Sequence, residues 1–180
     1  MKQIKVPKIE DLSPESQEIL GKLKKKLGSV PNLYATFGYS ASALKGILDF
    51  DAELSVNPSF TAKEREAINL IVSQVNNCEY CLAAHTALAK LRGFTEEETI
   101  LIRKGTYPEP KLNTAILLAK SILINKGEAE QSFLDNFFDA GYDEKALIEL
   151  IGSITVRSFT NYVFACTKIP IDFPIAKPLS

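Results

Sequence analysis

Two cysteines and a histidine in one short segment have the spacing of a thiol-based redox site. Cys78, Cys81 and His85 occupy relative positions 0, 3 and 7, which lie on one stripe of an α-helix. His85 is the only histidine of the chain, and there are three cysteines. The thiolate is the nucleophilic form of cysteine, and it is favoured by the first turn of a helix and by a neighbouring imidazole. The pattern therefore predicts a nucleophilic thiol with a second thiol placed to close a disulfide.

A carboxylate is predicted to join these side chains from the preceding helix. A turn is expected at residues 76–77, where two asparagines follow each other. If the helices on either side fold back antiparallel, Glu66 lies opposite a position near residue 88, beside His85. A carboxylate there would orient the imidazole and fix its tautomer. Glu64 is accounted for as a helix-capping residue, which leaves Glu66 free for this role.

The residue types alone leave two other interpretations open. The cysteines could be buried small hydrophobic residues, in which case the single histidine shares their stripe by chance. A zinc ion could also be held by four ligands, namely Cys78, Cys81, His85 and Glu66. Structural zinc sites usually use a second cysteine pair, which this sequence lacks. We predict neither a metal ion nor a cofactor.

Two further residues are given structural roles. Tyr80 lies about 100° around the helix from Cys81, so we predict that it is a core or pocket-wall aromatic. Cys166 is remote from the pair and close to a predicted helix end. We predict that it is a buried structural thiol.

The rest of the sequence predicts one all-α domain over residues 1–180. Apolar residues follow a helical period, and no segment alternates apolar and polar residues long enough to indicate a strand. Capping boxes begin at Thr61 and Thr95, and Ser13-Pro14 is typical of a helix start. The chain is expected to begin with an extended arm over 1–12 and to end with a non-helical tail over 167–180. The helices are predicted over 14–28, 31–37, 40–54, 62–75, 78–92, 95–105, 112–125, 128–139 and 144–166.

Composition argues against several classes of partner. The formal net charge is −1, so nothing indicates binding to nucleic acid or to an anionic membrane. Apolar runs are far shorter than the roughly 20 residues of a membrane-spanning helix. The N-terminal residues lack the apolar segment of a signal peptide. We therefore expect a cytoplasmic location, where thiols are kept reduced.

The motif resembles one branch of the carboxymuconolactone decarboxylase superfamily, the alkyl hydroperoxidase D-like (AhpD-like) peroxidase-related proteins. Glu66 is followed after eleven residues by Cys78-Glu79-Tyr80-Cys81, and His85 follows after three more. The resemblance extends over nearly the whole chain from about residue 29. Its flanking segments are Pro31-Asn32-Leu33-Tyr34, Lys63-Glu64-Arg65-Glu66, Phe159-Thr160-Asn161-Tyr162 and Asp172-Phe173-Pro174.

This resemblance implies a helical bundle with its active site on a helix hairpin. It also implies a homotrimer or homohexamer that reduces organic hydroperoxides in antioxidant defence. Cys81 would be the peroxidatic thiol, and Cys78 would resolve it and share a proton relay with Glu66 and His85. A dithiol partner of the lipoyl or thioredoxin type would restore the pair.

One residue departs from the pattern of the best-characterised peroxidases of this family. They carry a second histidine between the cysteines, where this chain has Tyr80. A tyrosine, with a pKa of about 10, is no base near neutral pH, although its hydroxyl can donate a hydrogen bond. A redox-sensing or disulfide-exchange oligomer without efficient peroxide turnover is therefore the alternative function, and a lyase or isomerase that uses His85 as its base is a third.

Overall fold

The computed structural model describes residues 3–179, and within this range the chain forms nine α-helices, one 3₁₀ turn and no strand. The predicted all-α class is confirmed. The helices are α1 Pro14–Leu27, α2 Asn32–Phe37, α3 Ala41–Glu53, α4 Ala62–Val75, α5 Glu79–Leu91, α6 Glu96–Lys104, α7 Pro110–Ile124, α8 Gln131–Asp139 and α9 Glu144–Thr167.

Most helix starts follow local side-chain chemistry. Thr61 and Thr95 each form a complete capping box with the glutamate three residues later, which satisfies backbone N–H groups of the first turn. Ser13 caps α1 ahead of a proline at the first helical position, and Asp143 caps α9. These predicted starts are confirmed.

Three predictions of local structure are wrong. The helix expected from residue 112 already begins at Pro110, because the Glu109 side chain accepts hydrogen bonds from the backbone N–H groups of Lys111 and Leu112. The helix expected from residue 128 begins at Gln131, because the backbone N–H of Glu130 is bound by the Ser121 hydroxyl at 3.1 Å and the chain before it turns through Gly127. The arm is not extended throughout, since Ile9–Asp11 forms a 3₁₀ turn. Residues 1 and 2 of the predicted arm and residue 180 of the predicted tail lie outside the described residues.

The interior consists of two groups of buried apolar side chains, which the long helix α9 connects. The larger group lies among α4 to α9 and includes Ile68, Ile116 and Leu150. The smaller group joins α1, α2, α3 and the tail to the start of α5. Cys78 and Cys81 belong to the smaller group, so the predicted redox pair lies where the two parts of the core meet.

The α4–α5 hairpin positions the motif. Asn77 adopts a left-handed conformation with φ of 50°, which asparagine tolerates better than most residues. The chain reverses there, and the backbone N–H of Cys78 bonds to the carbonyl oxygen of Ser73 at 2.9 Å. The last turn of α4 and the first turn of α5 therefore lie side by side.

Candidate active site

Glu66 and His85 meet across the α4–α5 hairpin. Glu66 Oε2 lies 2.6 Å from His85 Nδ1, and both side chains are largely buried, with 13% and 8% of their surfaces exposed. Burial is the largest single effect and raises the pKa of Glu66, but His85, Arg157 and Asn69 together outweigh it, so the net pKa lies below its usual value. Because Nδ1 is engaged, Nε2 is the nitrogen of His85 that remains for proton exchange.

The two cysteines occupy different positions at the start of α5. Cys78 is the N-cap, and its sulfur accepts a hydrogen bond from the backbone N–H of Cys81 at 3.4 Å. Cys81 is in the first helical turn, where unpaired N–H groups and the helix dipole favour an anion. Both are buried and neither is in a disulfide. Within residues 3–179, only Cys81 of the two lines the cavity described below.

The pair is electrostatically asymmetric. A hydrogen bond from the Cys78 thiol lowers the pKa of Cys81 to about 6 against the opposing effect of burial, and the charges of Arg157 and His85 act in the same direction. The same hydrogen bond and burial raise the pKa of Cys78. The asymmetry favours the thiolate form at Cys81 and the thiol form at Cys78.

Helix α9 contributes polar side chains that the sequence analysis did not assign. Thr160 Oγ1 lies 3.9 Å from Cys81 Sγ, and Arg157 Nη1 donates to Thr160 Oγ1 at 3.3 Å. Asn161 accepts a hydrogen bond from Asn76 at 2.9 Å and donates to Ser73 at 3.4 Å. The sequence feature that could have indicated this contribution is the Thr160-Asn161 pair, which stands in a helix that is otherwise mostly apolar.

Tyr80 connects α5 to the C-terminal tail. Its hydroxyl donates to Asp172 Oδ1 at 2.5 Å and accepts from the backbone N–H of Leu33 at 3.2 Å. Phe164 and Phe173 pack on its ring at centroid distances of 5.6 and 5.7 Å. Burial and the Asp172 hydrogen bond raise the pKa of Tyr80, so the hydroxyl stays protonated. The prediction of a core or pocket-wall aromatic is confirmed.

A cavity of about 480 Å³ opens in front of Cys81. Glu66, His85 and Cys81 line it from the α4–α5 hairpin, and Arg157 and Thr160 line it from α9. Apolar or aromatic side chains make up much of the remaining lining, namely Pro31, Leu33, Tyr34, Ala84, Leu88 and Phe173, and Asp51, Arg65 and Arg92 add charged groups. The cavity therefore presents the Cys81 sulfur, an imidazole and a buried guanidinium to a small molecule.

The third cysteine, Cys166, lies outside the site. It is exposed, so the prediction that it is a buried structural thiol is wrong. It lies on the side of α9 opposite Phe164, which is the residue that this last turn buries.

Among residues 3–179, no group of three or more His, Cys, Asp or Glu side chains is arranged to hold a metal ion. Within the same range, no helix combines the length and apolar character needed to cross a bilayer.

Comparison with known proteins agrees with this architecture. Residues 41–121, which include Glu66, Cys78, Cys81 and His85, match the model of the carboxymuconolactone decarboxylase family. The match covers the hairpin that carries the motif and supports the predicted resemblance to this superfamily. A search of curated protein sequences found no significant match.

Several solved structures share the fold of this chain, and one of them is described as an AhpD core. An alkylhydroperoxidase AhpD core protein from Ralstonia eutropha is 16% identical, with a TM-score of 0.82 over 93% of this chain and 90% of that one. A peroxidase-related protein from Silicibacter is 21% identical, with a TM-score of 0.79 over 92% and 88%. The debrominase Bmp8 is 17% identical, with a TM-score of 0.77 over 92% and 90%. The TM-scores show that the fold is shared, and at these identities the likeness shows the fold alone.

Proposed function

We propose that the protein is a thiol-dependent peroxidase that reduces organic hydroperoxides through the Cys78–Cys81 pair. The observation that carries the proposal is the asymmetry of the two thiols. Cys81 faces the cavity and has the lowered pKa, whereas Cys78 retains its proton behind it. A reactive thiolate next to a protonated second thiol is the arrangement that a peroxidatic and a resolving cysteine require.

The proposed first step breaks the peroxide bond. The Cys81 thiolate attacks the terminal oxygen of the hydroperoxide and becomes a sulfenic acid, while the other oxygen leaves as an alkoxide. The alkoxide takes a proton from His85, which had received it from Cys81 during ionisation. Glu66 stabilises the imidazolium at a distance of 2.6 Å. The organic product is an alcohol.

The second step closes the disulfide. The Cys78 thiol attacks the sulfur of the sulfenic acid, so that a disulfide forms and water leaves. A dithiol reductant then returns two electrons and two protons to the pair. A lipoyl- or thioredoxin-type partner has this chemistry, and its need for a reducing compartment supports a cytoplasmic location.

The debrominase Bmp8 has the same fold, but no feature of this cavity favours a halogenated substrate over a hydroperoxide.

The decisive experiment starts from a Cys166→Ser protein, which removes the exposed thiol. Its redox equilibrium is measured against a dithiol buffer, and turnovers are then counted with cumene hydroperoxide and excess dithiol. We expect many equivalents to be consumed per chain.

Single substitutions assign the two thiols. Cys81→Ser is expected to abolish turnover, whereas Cys78→Ser should react once and leave a sulfenic acid that dimedone traps on Cys81. Full turnover by Cys81→Ser would contradict the peroxidase. A pair that oxidises once and stalls despite excess dithiol would instead support a redox-sensing protein.

We further propose that the chain functions as a homotrimer or homohexamer. Helix α9 carries an exposed stripe with no charged side chain between residues 148 and 166, formed by Ile148, Ile151, Thr155, Phe159, Tyr162 and Cys166. A stripe of this length along one helix is the kind of surface that self-association buries.

A further inference from the structure

Arg157 is a buried cation on the wall of the cavity. Its residue is 8% exposed, Nε donates to Asn69 Oδ1 at 3.1 Å and Nη1 donates to Thr160 Oγ1 at 3.3 Å. Both acceptors are neutral. None of the ion pairs within residues 3–179 includes Arg157. A buried charge without an opposite charge in contact is costly, so a nearby anion would stabilise it.

Burial alone does not distinguish Arg157 from the other buried arginine. Arg103 is 5% exposed and donates to Gln74 Oε1 at 2.8 Å and to the carbonyl oxygen of Lys177 at 2.6 Å. It joins α6 to α4 and the tail, and it is not among the residues that line the cavity. Arg157 differs because it shares the cavity, and Thr160 as a hydrogen-bonding neighbour, with Cys81.

Among the charged groups that line the cavity, Arg157 is the buried cation outside any ion pair. Arg65 pairs with Asp51 at 3.4 Å, and Arg92 is exposed. The titratable groups around Cys81 are Cys78, His85 and Tyr80 from α5, Glu66 from α4 and Tyr34 from α2. Glu66 lies 2.6 Å from His85 Nδ1, so its carboxylate is already engaged by the imidazole. Consistently, the charge of Arg157 lowers the pKa of both Cys81 and Glu66.

We propose that Arg157 is a catalytic residue that holds Cys81 as a thiolate and binds the oxygen that leaves the hydroperoxide. The second half of this assignment rests on the proposed peroxidase function, and the first half does not. In the peroxide step the negative charge passes from the Cys81 sulfur to the departing alkoxide oxygen. A guanidinium fixed by Asn69 and Thr160 stabilises the charge at both positions without reorganising. Arg157 lies outside the segment that matches the family model.

The first test measures how the thiolate forms. In the Cys166→Ser background, the rate of Cys81 alkylation by iodoacetamide is followed by mass spectrometry between pH 4 and pH 10. The unaltered site should show an inflection near 6. We expect Arg157→Gln to move the inflection up by about one pH unit or more, and Arg157→Lys to move it less. Arg103→Gln also removes a buried arginine and is the matched control, so its inflection should stay at the same pH as in the unaltered site.

The second test measures how much Arg157 stabilises the leaving oxygen of the hydroperoxide. At a pH where every variant is fully ionised, the rate constant for cumene hydroperoxide is divided by that for iodoacetamide. We expect this ratio to fall about tenfold or more in Arg157→Gln and to be unchanged in Arg103→Gln. Circular dichroism checks that each variant is folded before the ratios are compared, because an unfolded fraction would react with iodoacetamide and lower the ratio.

The outcomes separate this inference from the peroxidase proposal. An Arg157→Gln protein with the unaltered inflection and ratio overturns the inference, even if peroxide turnover is normal. If the alkylation inflection shifts as expected but the protein never reacts with hydroperoxide, the peroxidase function and the oxygen-binding role of Arg157 are both overturned. The same result would support the role of Arg157 in stabilising the Cys81 thiolate. Circular dichroism of Arg157→Lys confirms that the helices are intact in the conservative variant.

Discussion

At the scale of single residues, the chemistry of the site depends on which side chain holds which charge. His85 and Arg157 lower the pKa of Glu66, and Cys78, Arg157 and His85 lower the pKa of Cys81. These groups come from α4, α5 and α9. A single substitution therefore changes the protonation of its neighbour as well as its own contact.

Glu66→Gln is expected to destabilise the fold at neutral pH by roughly 1–3 kcal/mol, because it removes a buried charged hydrogen bond. The pKa of Glu66 is lower in the folded chain than in the unfolded one. Its stabilising contribution is therefore complete above the usual glutamate pKa of about 4.3 and is lost as the pH falls through the lower folded-state pKa. The difference between variant and parent should be large at pH 7 and small at pH 3 in urea unfolding. Glu53→Gln, an exposed glutamate, should be neutral at both; a pH-independent loss in Glu66→Gln would contradict this argument.

Tyr80→Phe is expected to destabilise the protein by roughly 1–3 kcal/mol, because it leaves the Asp172 carboxylate and the Leu33 N–H without the hydroxyl that joins them. The exposed Tyr39 provides the control, since Tyr39→Phe removes one exposed hydrogen bond to the carbonyl oxygen of Lys5 and should cost little. Thermal unfolding gives both values. Equal melting temperatures for the two variants would mean that the tail contact contributes nothing to stability.

At the scale of elements, the cap of α5 combines a structural and a chemical role in one sulfur. Cys78 Sγ accepts the Cys81 N–H and is also the proposed resolving thiol. Cys78→Ala should therefore be less stable than Cys78→Ser by about 0.5–1 kcal/mol, since serine retains a capping oxygen. Chemical denaturation measures this difference. Neither variant can form the disulfide, so equal stabilities would show that the sulfur does not act as a cap.

Elements with strong local signals were predictable from the sequence. The capping boxes at Thr61 and Thr95 and the turn at residues 76–77 are confirmed, because short-range hydrogen bonds determine them. The start of α8 was not predictable, since it depends on the Ser121 hydroxyl of another helix. The 3₁₀ turn in the arm likewise relies on Gln17, which donates to the carbonyl oxygens of Glu10 and Leu12.

The parts of the site that come from distant sequence were missed for the same reason. The motif lies on one hairpin, so its spacing in the sequence was enough to predict which side chains are neighbours. Arg157 and Thr160 reach Cys81 from a helix about 80 positions away, and no periodicity reveals which helices will pack together. The exposure of Cys166 was missed because it depends on which face α9 buries at its last turn.

At the scale of the whole molecule, the α9 stripe predicts self-association. Ile148 and Tyr162 are 67% and 58% exposed, so charging them should perturb an interface without disturbing the core. We expect Ile148→Lys with Tyr162→Lys to reduce the mass measured by sedimentation equilibrium to that of one chain. Leu91→Lys is the control, because Leu91 is 82% exposed on α5 and off the stripe. An oligomer that survives the double substitution, or a parent that is already monomeric, would contradict this surface assignment.

The contact of the tail with Asn32 has a consequence for the order of folding. The Asp172 carboxylate binds the Asn32 N–H at 2.8 Å across 140 positions of sequence, whereas Glu66 and His85 are only 19 apart. Closing a long loop costs more chain entropy than closing a short one, so distant contacts tend to form late. The hairpin can bring its carboxylate and imidazole together early, while the aromatic wall around Tyr80 must wait for the last residues of the chain. Until the tail docks, the folding protein has a reactive cysteine pair with one side of its enclosure missing, and it is most vulnerable to stray oxidation in that interval.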